Sequence, residues 1–223
     1  MVRSILGGEN SQERFNVYFN WYNIVHEVGH IIDRHYGRNV MENGLLEAEL
    51  FANAFAVAFW AHYGDEETFN LLKELVPYAV ENFERPVSEN EGIAEVASLF
   101  EAGELDFTFN NYGWFQFSLV NFVLEEKQDL ESLLIDAGLE FVNLPPKRTL
   151  EFSSIGEEAI PEILVEVFTA LLEWGIEMPF SVYHMLDDDP NIHMVVPGFT
   201  FEEIESWGIP TDKAVQIWPT NVH

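Results

Sequence analysis

From Leu45 to His62 the chain is apolar at nearly every position, and Glu47, Glu49 and Asn53 are the only polar side chains before His62. Leu46, Leu50, Phe51, Phe55, Val57, Phe59 and Trp60 would cover every side of a 3.6-residue helix, and a helix apolar all round must be enclosed by other elements. The segment therefore dictates a layered fold assembled about this helix. It is not a bilayer span, because the uncharged stretch 50–64 is shorter than the roughly 20 residues a span requires. A second uncharged stretch, 107–124, carries Asn110, Asn111, Gln116, Ser118 and Asn121, which makes it too polar for lipid.

The other elements follow the same helical spacing, which makes the expected fold mainly α with little β. Helices are expected over residues 11–36, 45–62, 65–83, 88–101, 112–126, 129–137 and 157–174. Ser11 would cap the first of these, Gly37 would end it, and a loop with Arg38, Asn39, Asn43 and Gly44 would lead to the second. Pro77 should kink or break the third helix. Ser88 with Glu91 reads as a capping box, and Thr200 as the cap of a short helix reaching Ser206. Extended pieces are expected at 105–109 and 193–196. The Pro- and Ser-bearing segment 143–156 marks a division into a metal-binding helical catalytic domain, 1–142, and a C-terminal helical extension, 143–223, unless both belong to one compact domain.

With 223 residues, 48% of them hydrophobic and including 19 Phe and 6 Trp, the chain has ample material for a core. Its 39 acidic against 10 basic residues give a formal charge of −29. That charge excludes direct binding to a nucleic-acid backbone, which draws its affinity from Lys and Arg. It also repels anionic membranes and favours basic protein partners. Residues 1–10 hold one Arg and no sustained apolar run, unlike a signal peptide, so a cytoplasmic protein is expected. The absence of cysteine removes disulfides, thiol nucleophiles and thiolate metal sites. A metal must then rest on His and carboxylate.

Such a set exists. His26-Glu27-Val28-Gly29-His30 places two imidazoles four residues apart on one helical face, where both can reach one ion. Glu27 stands beside them as the base that takes a proton from water. A catalytic zinc site has three protein ligands and an open position. Glu49, nineteen residues after His30, supplies the third. Asn53, one turn further on, would accept a hydrogen bond from a ligand imidazole. Ala52 and Ala56 offer a face small enough for the two helices to approach closely. Glu47 is the competing carboxylate, but two residues from Glu49 it points elsewhere on the helix.

These residues, followed by Glu49-Leu50-Phe51-Ala52-Asn53-Ala54-Phe55-Ala56, resemble the H-E-x-G-H and E-x-x-A-N-x-F-A signatures of the ImmA/IrrE-like metallopeptidases. The resemblance covers residues 22–60. It implies a zincin-like helical core and a gluzincin-type peptidase, with zinc (Zn2+) on His26, His30 and Glu49, Glu27 as general base, and a protein substrate such as a helix-turn-helix repressor. Two other readings remain open: a non-catalytic metal-binding regulatory or interaction module on the same helix pair, and a metal-dependent hydrolase of small molecules.

A peptidase of this type also needs a donor for the oxyanion, for which Tyr112, Tyr183, His184 and His193 are candidates. His35 and His62 sit near expected helix C-termini, where the helix dipole accounts for them. Asp187-Asp188-Asp189 lacks the spacing of a calcium loop and reads as a solvated charge run. The aromatic stretch 112–117 would either line a substrate cleft or fill the core.

Overall fold

The computed structural model describes residues 6–7, 10–36, 44–141, 144–176, 180–184, 193–197 and 214–217, without the side chains of the last three segments or of residues 34 and 35. Gly37, the loop 38–43 before Gly44, the Asp triplet and the helix expected after Thr200 lie outside them. Two compact units form, Met1–Glu140 with Pro146–Glu166, and Phe141–Pro145 with Val167–His223.

The first unit is helical. α1 (Ser11–Phe15), a wider π-helical stretch (Asn16–Tyr22) and α2 (Asn23–His35) follow one another without a break. Where a uniform helix was expected, seven residues wind more loosely, and Asn10 rather than Ser11 holds the cap position, without a side-chain bond. Such π segments often accompany functional sites. This one carries Tyr18 and Tyr22, stacked 5.4 Å apart, toward the cluster described below.

α3 (Leu45–Tyr63) is the enclosed helix foreseen from its composition. Phe55, Phe59, Trp60 and Tyr63 are fully buried, and Trp60 stacks on Trp21 at 4.0 Å. α4 (Glu66–Asn82), α5 (Ile93–Glu101), α6 (Phe109–Glu126) and α7 (Leu130–Asp136) complete the shell; α2, α5, α6 and α7 all pack on α3. Pro77 does not end α4, because Leu75, Val76 and Ala79 anchor both sides of it in the core.

Side-chain caps start three of these helices: Asp65 accepts from Thr68 N at 2.8 Å, Thr108 from Asn111 N at 3.1 Å, and Asp129 from Ser132 N at 3.0 Å. The extended piece expected at 105–109 is instead the approach to the Thr108 cap. Ser88 and Glu91 do meet, but the Glu91 carboxylate takes both the Ser88 N–H and its hydroxyl proton, closing a local turn. α5 begins only after Gly92, whose backbone is extended.

Part of the expected linker belongs to the first unit. Leu150 N donates to Tyr63 O at 2.8 Å and Phe152 packs edge-on to Trp60, so 146–166 joins 1–140 instead of starting a new domain at 143. A 3-10 turn (Glu157–Ala159) leads into α8 (Ile160–Glu173). In the second unit β1 (Phe180–His184) pairs antiparallel with β2 (His193–Pro197) and β3 (Ala214–Ile217), in the order β2-β1-β3. β2 was expected; β1 and β3, only five and four residues long, were not. The described chain is thus mainly α, and none of its helices is long and apolar enough to cross a membrane.

Gly29 sets the spacing of the central pair. A Cβ on it would stand 2.8 Å from Ala52 Cα and 3.1 Å from Ala52 O, backbone atoms that cannot swing aside. Gly29→Ala gains about 1 kcal/mol in helix propensity but overpacks the contact by about 1–3 kcal/mol. A net loss is expected, seen as a lower denaturant midpoint at unchanged slope.

Candidate metal centre

Three side chains from α2 and α3 converge at that close approach. His26 Nε2 lies 3.3 Å from Glu49 Oε2, His30 Nε2 lies 3.6 Å from the same oxygen, and the two ring nitrogens are 3.2 Å apart. A tetrahedral ion with bonds of about 2.0–2.1 Å holds its ligands about 3.3–3.4 Å from one another. The triangle has that size. His26 and Glu49 are buried and His30 is half-buried, so ordinary solvation does not account for the grouping.

Asn53, fully buried, determines which His26 nitrogen faces the cluster. Its Nδ2 donates to the Glu49 carbonyl at 2.8 Å and to Gln116 Oε1 at 3.2 Å, which leaves Oδ1 for donors. Tyr22 Oη donates to it at 2.8 Å and His26 Nδ1 at 3.1 Å. With the proton on Nδ1, the Nε2 lone pair points at Glu49 and His30, the tautomer a metal requires. The hydrogen bond expected between Asn53 and a ring of the pair is the one to His26.

Glu49 is held on both oxygens. Gln116 Nε2 donates to Oε2 at 2.7 Å and Tyr112 Oη to Oε1 at 3.1 Å, while Gln116 Nε2 also reaches Tyr112 Oη at 2.8 Å. Burial works to raise the Glu49 carboxyl, but when His26 and His30 are protonated their hydrogen bonds and charge outweigh it and hold the group well below the ordinary range. Burial works to lower His30, and Glu49 reverses that to a net rise. Burial, aided by the Glu49 charge, pushes the Tyr112 phenol up, so its hydroxyl remains a donor at neutral pH. Glu47, the competing carboxylate, is exposed and outside the cluster.

Glu27 is exposed and opens onto a cleft of about 470 Å³ whose wall also includes His26, Tyr112 and Gln116. Asn23 Nδ2 donates to Glu27 Oε1 at 3.3 Å, holding the carboxylate from one turn away. Tyr18, Phe19, Phe83, Phe107, Phe109 and Phe117 line the rest. Phe107 is 61% exposed and Phe109 45%, so the cleft presents uncovered aromatic surface next to the cluster.

Gln116 and Tyr22 had no assigned role in the sequence. Their signal was present: Gln116 follows Tyr112 by four residues within the aromatic stretch 112–117, and Tyr22 precedes His26 by four, so each shares a face with a site residue. Of the oxyanion candidates, Tyr112 stands against Glu49. His184 and His193 are backbone partners in the β1–β2 ladder, and their side chains, like that of Tyr183, lie outside the described set. No family model, curated protein or solved structure matches this chain.

Proposed function

We propose that this protein is a zinc-dependent peptidase of the ImmA/IrrE-like kind. The observation that carries the reading is the triangle of His26 Nε2, His30 Nε2 and Glu49 Oε2, sized for a tetrahedral ion and bordered by an open cleft that contains Glu27. Two nitrogens and one oxygen are the donor set of catalytic zinc sites that keep a position for water. When bound there, zinc supplies Lewis acidity toward a carbonyl and acidifies water.

The chain's own residues do the rest. Glu27 accepts the water proton and returns it to the departing amine, its carboxylate oriented by Asn23. Asn53 and Gln116 hold His26 and Glu49 at their required angles, so little reorganisation accompanies the reaction. Tyr112, protonated and facing the cleft, is the donor best placed for an oxyanion once its bond to Glu49 loosens. The aromatic wall favours a substrate with bulky apolar side chains beside the scissile bond, presented by an accessible segment of a protein such as a repressor.

The test is cleavage of an unstructured protein by the purified chain, with metal removed by a chelator and then restored. Hydrolysis lost on chelation and recovered with about one equivalent of zinc supports the reading. Zinc binding without hydrolysis of any protein or peptide would instead make this a metal-dependent binding module.

A further inference from the structure

Only four lysines occur in the sequence, and three of them, Lys73, Lys127 and Lys147, border one concavity on the first unit, lined by none of the metal-site residues. The chain carries 39 acidic residues that could pair with them. Among the described residues, no ion pair engages any of these three. Lys73 instead donates to Asn70 Oδ1 at 3.1 Å and stands 4.4 Å over the Phe69 ring. Asp129, the acidic residue in the wall, has its carboxylate committed to Ser132 N and Oγ as the cap of α7. The Lys147 charge is felt at His62, another lining residue; burial and Lys147 together lower its imidazole below the ordinary range.

Lys127 adds a second observation. It ends α6 with φ 53° and ψ 46°, the left-handed conformation for which glycine is the favoured residue. Among the described residues no other non-glycine has positive φ. A lysine at a backbone position that favours glycine marks a strained site, and such strain is often stored where a side chain has work to do. The floor between the lysines is apolar, formed by Val57, Ala58, Phe69, Leu124 and Leu130, and the concavity measures about 420 Å³, within the range of small-molecule sites.

We propose that this concavity binds a small amphipathic carboxylate, with its hydrocarbon tail on the apolar floor and its charged head among Lys73, Lys127 and Lys147. The cationic rim disfavours basic head groups, and the volume suits a molecule of medium chain length. The proposal is independent of the metal centre.

Calorimetric titration of the full chain with straight-chain carboxylates from acetate to decanoate tests it. Affinity should rise by about three- to fourfold per methylene until the floor is covered, the scale of burying one CH2. Lys127→Gly is the sharpest variant, because it removes the charge while relieving the backbone. It should raise the thermal midpoint yet weaken decanoate binding by about threefold. Adding Lys73→Gln and Lys147→Gln should bring the loss to at least about tenfold, the sum expected of three solvent-facing pairs. Ala61→Trp, an exposed position in the wall, should block the site. Zinc content should be unchanged throughout. Equal affinity for acetate and decanoate, undiminished binding in the triple variant, or absence of saturable decanoate binding would each overturn the proposal.

Discussion

His26→Ala and His30→Ala are each expected to reduce bound zinc from about one ion per chain to background. Two of three donors remain in either variant, and two ligands do not hold zinc against water and buffer at ordinary concentrations. The affinity loss should exceed the ten- to hundredfold typical of disturbing only a partner of a ligand, so about a thousandfold is the scale to look for. The two variants should differ in stability. His26 is buried and bonded to Asn53, and its removal leaves Asn53 Oδ1 with Tyr22 alone; half-buried His30 leaves a smaller defect. Metal analysis after exhaustive dialysis, beside a denaturation curve of the metal-free protein, separates loss of the site from loss of the fold. Zinc content equal to wild type in both variants, with the fold intact, would sink the assignment of the centre.

Glu27→Gln is the second large effect, and it divides binding from chemistry. The substitution keeps the volume and lies on an exposed position, so zinc content and stability should stay near wild type. Loss of the base should lower peptide hydrolysis by at least about a hundredfold. The neighbouring Asn23 bond survives in altered form, since an amide oxygen still accepts from Asn23 Nδ2. Hydrolysis at an undiminished rate would exclude Glu27 as the base. Loss of zinc from this variant would instead make Glu27 a ligand or a folding residue, against the triangle of His26, His30 and Glu49.

Much of the centre was readable from spacing because its parts are local. The four-residue interval of His26 and His30, the one-turn interval of Glu49 and Asn53, and the small face of Ala52 and Ala56 follow from helix geometry and need no knowledge of the fold. The all-apolar character of α3 likewise announced its enclosure, because burial there follows from composition on every face. Helix beginnings were less legible. Ser88 and Glu91 have the letters of a capping box, yet the same two side chains satisfy each other in a turn, and the helix waits for Ile93.

What the linear order of residues determined, then, is which helices form and which of their side chains can share a metal, since both depend on periodicities of three and four. Tertiary structure decided how Glu49 and Asn53 are themselves held. Gln116 reaches Glu49 across 67 positions and Tyr22 reaches Asn53 across 31, pairings that no local period encodes. The looser winding of Asn16–Tyr22 and the return of 146–166 to the first unit are of the same kind. Each depends on packing against Trp60, Tyr63 and their neighbours, and packing partners distant in sequence are chosen by shape and polarity after the chain has collapsed.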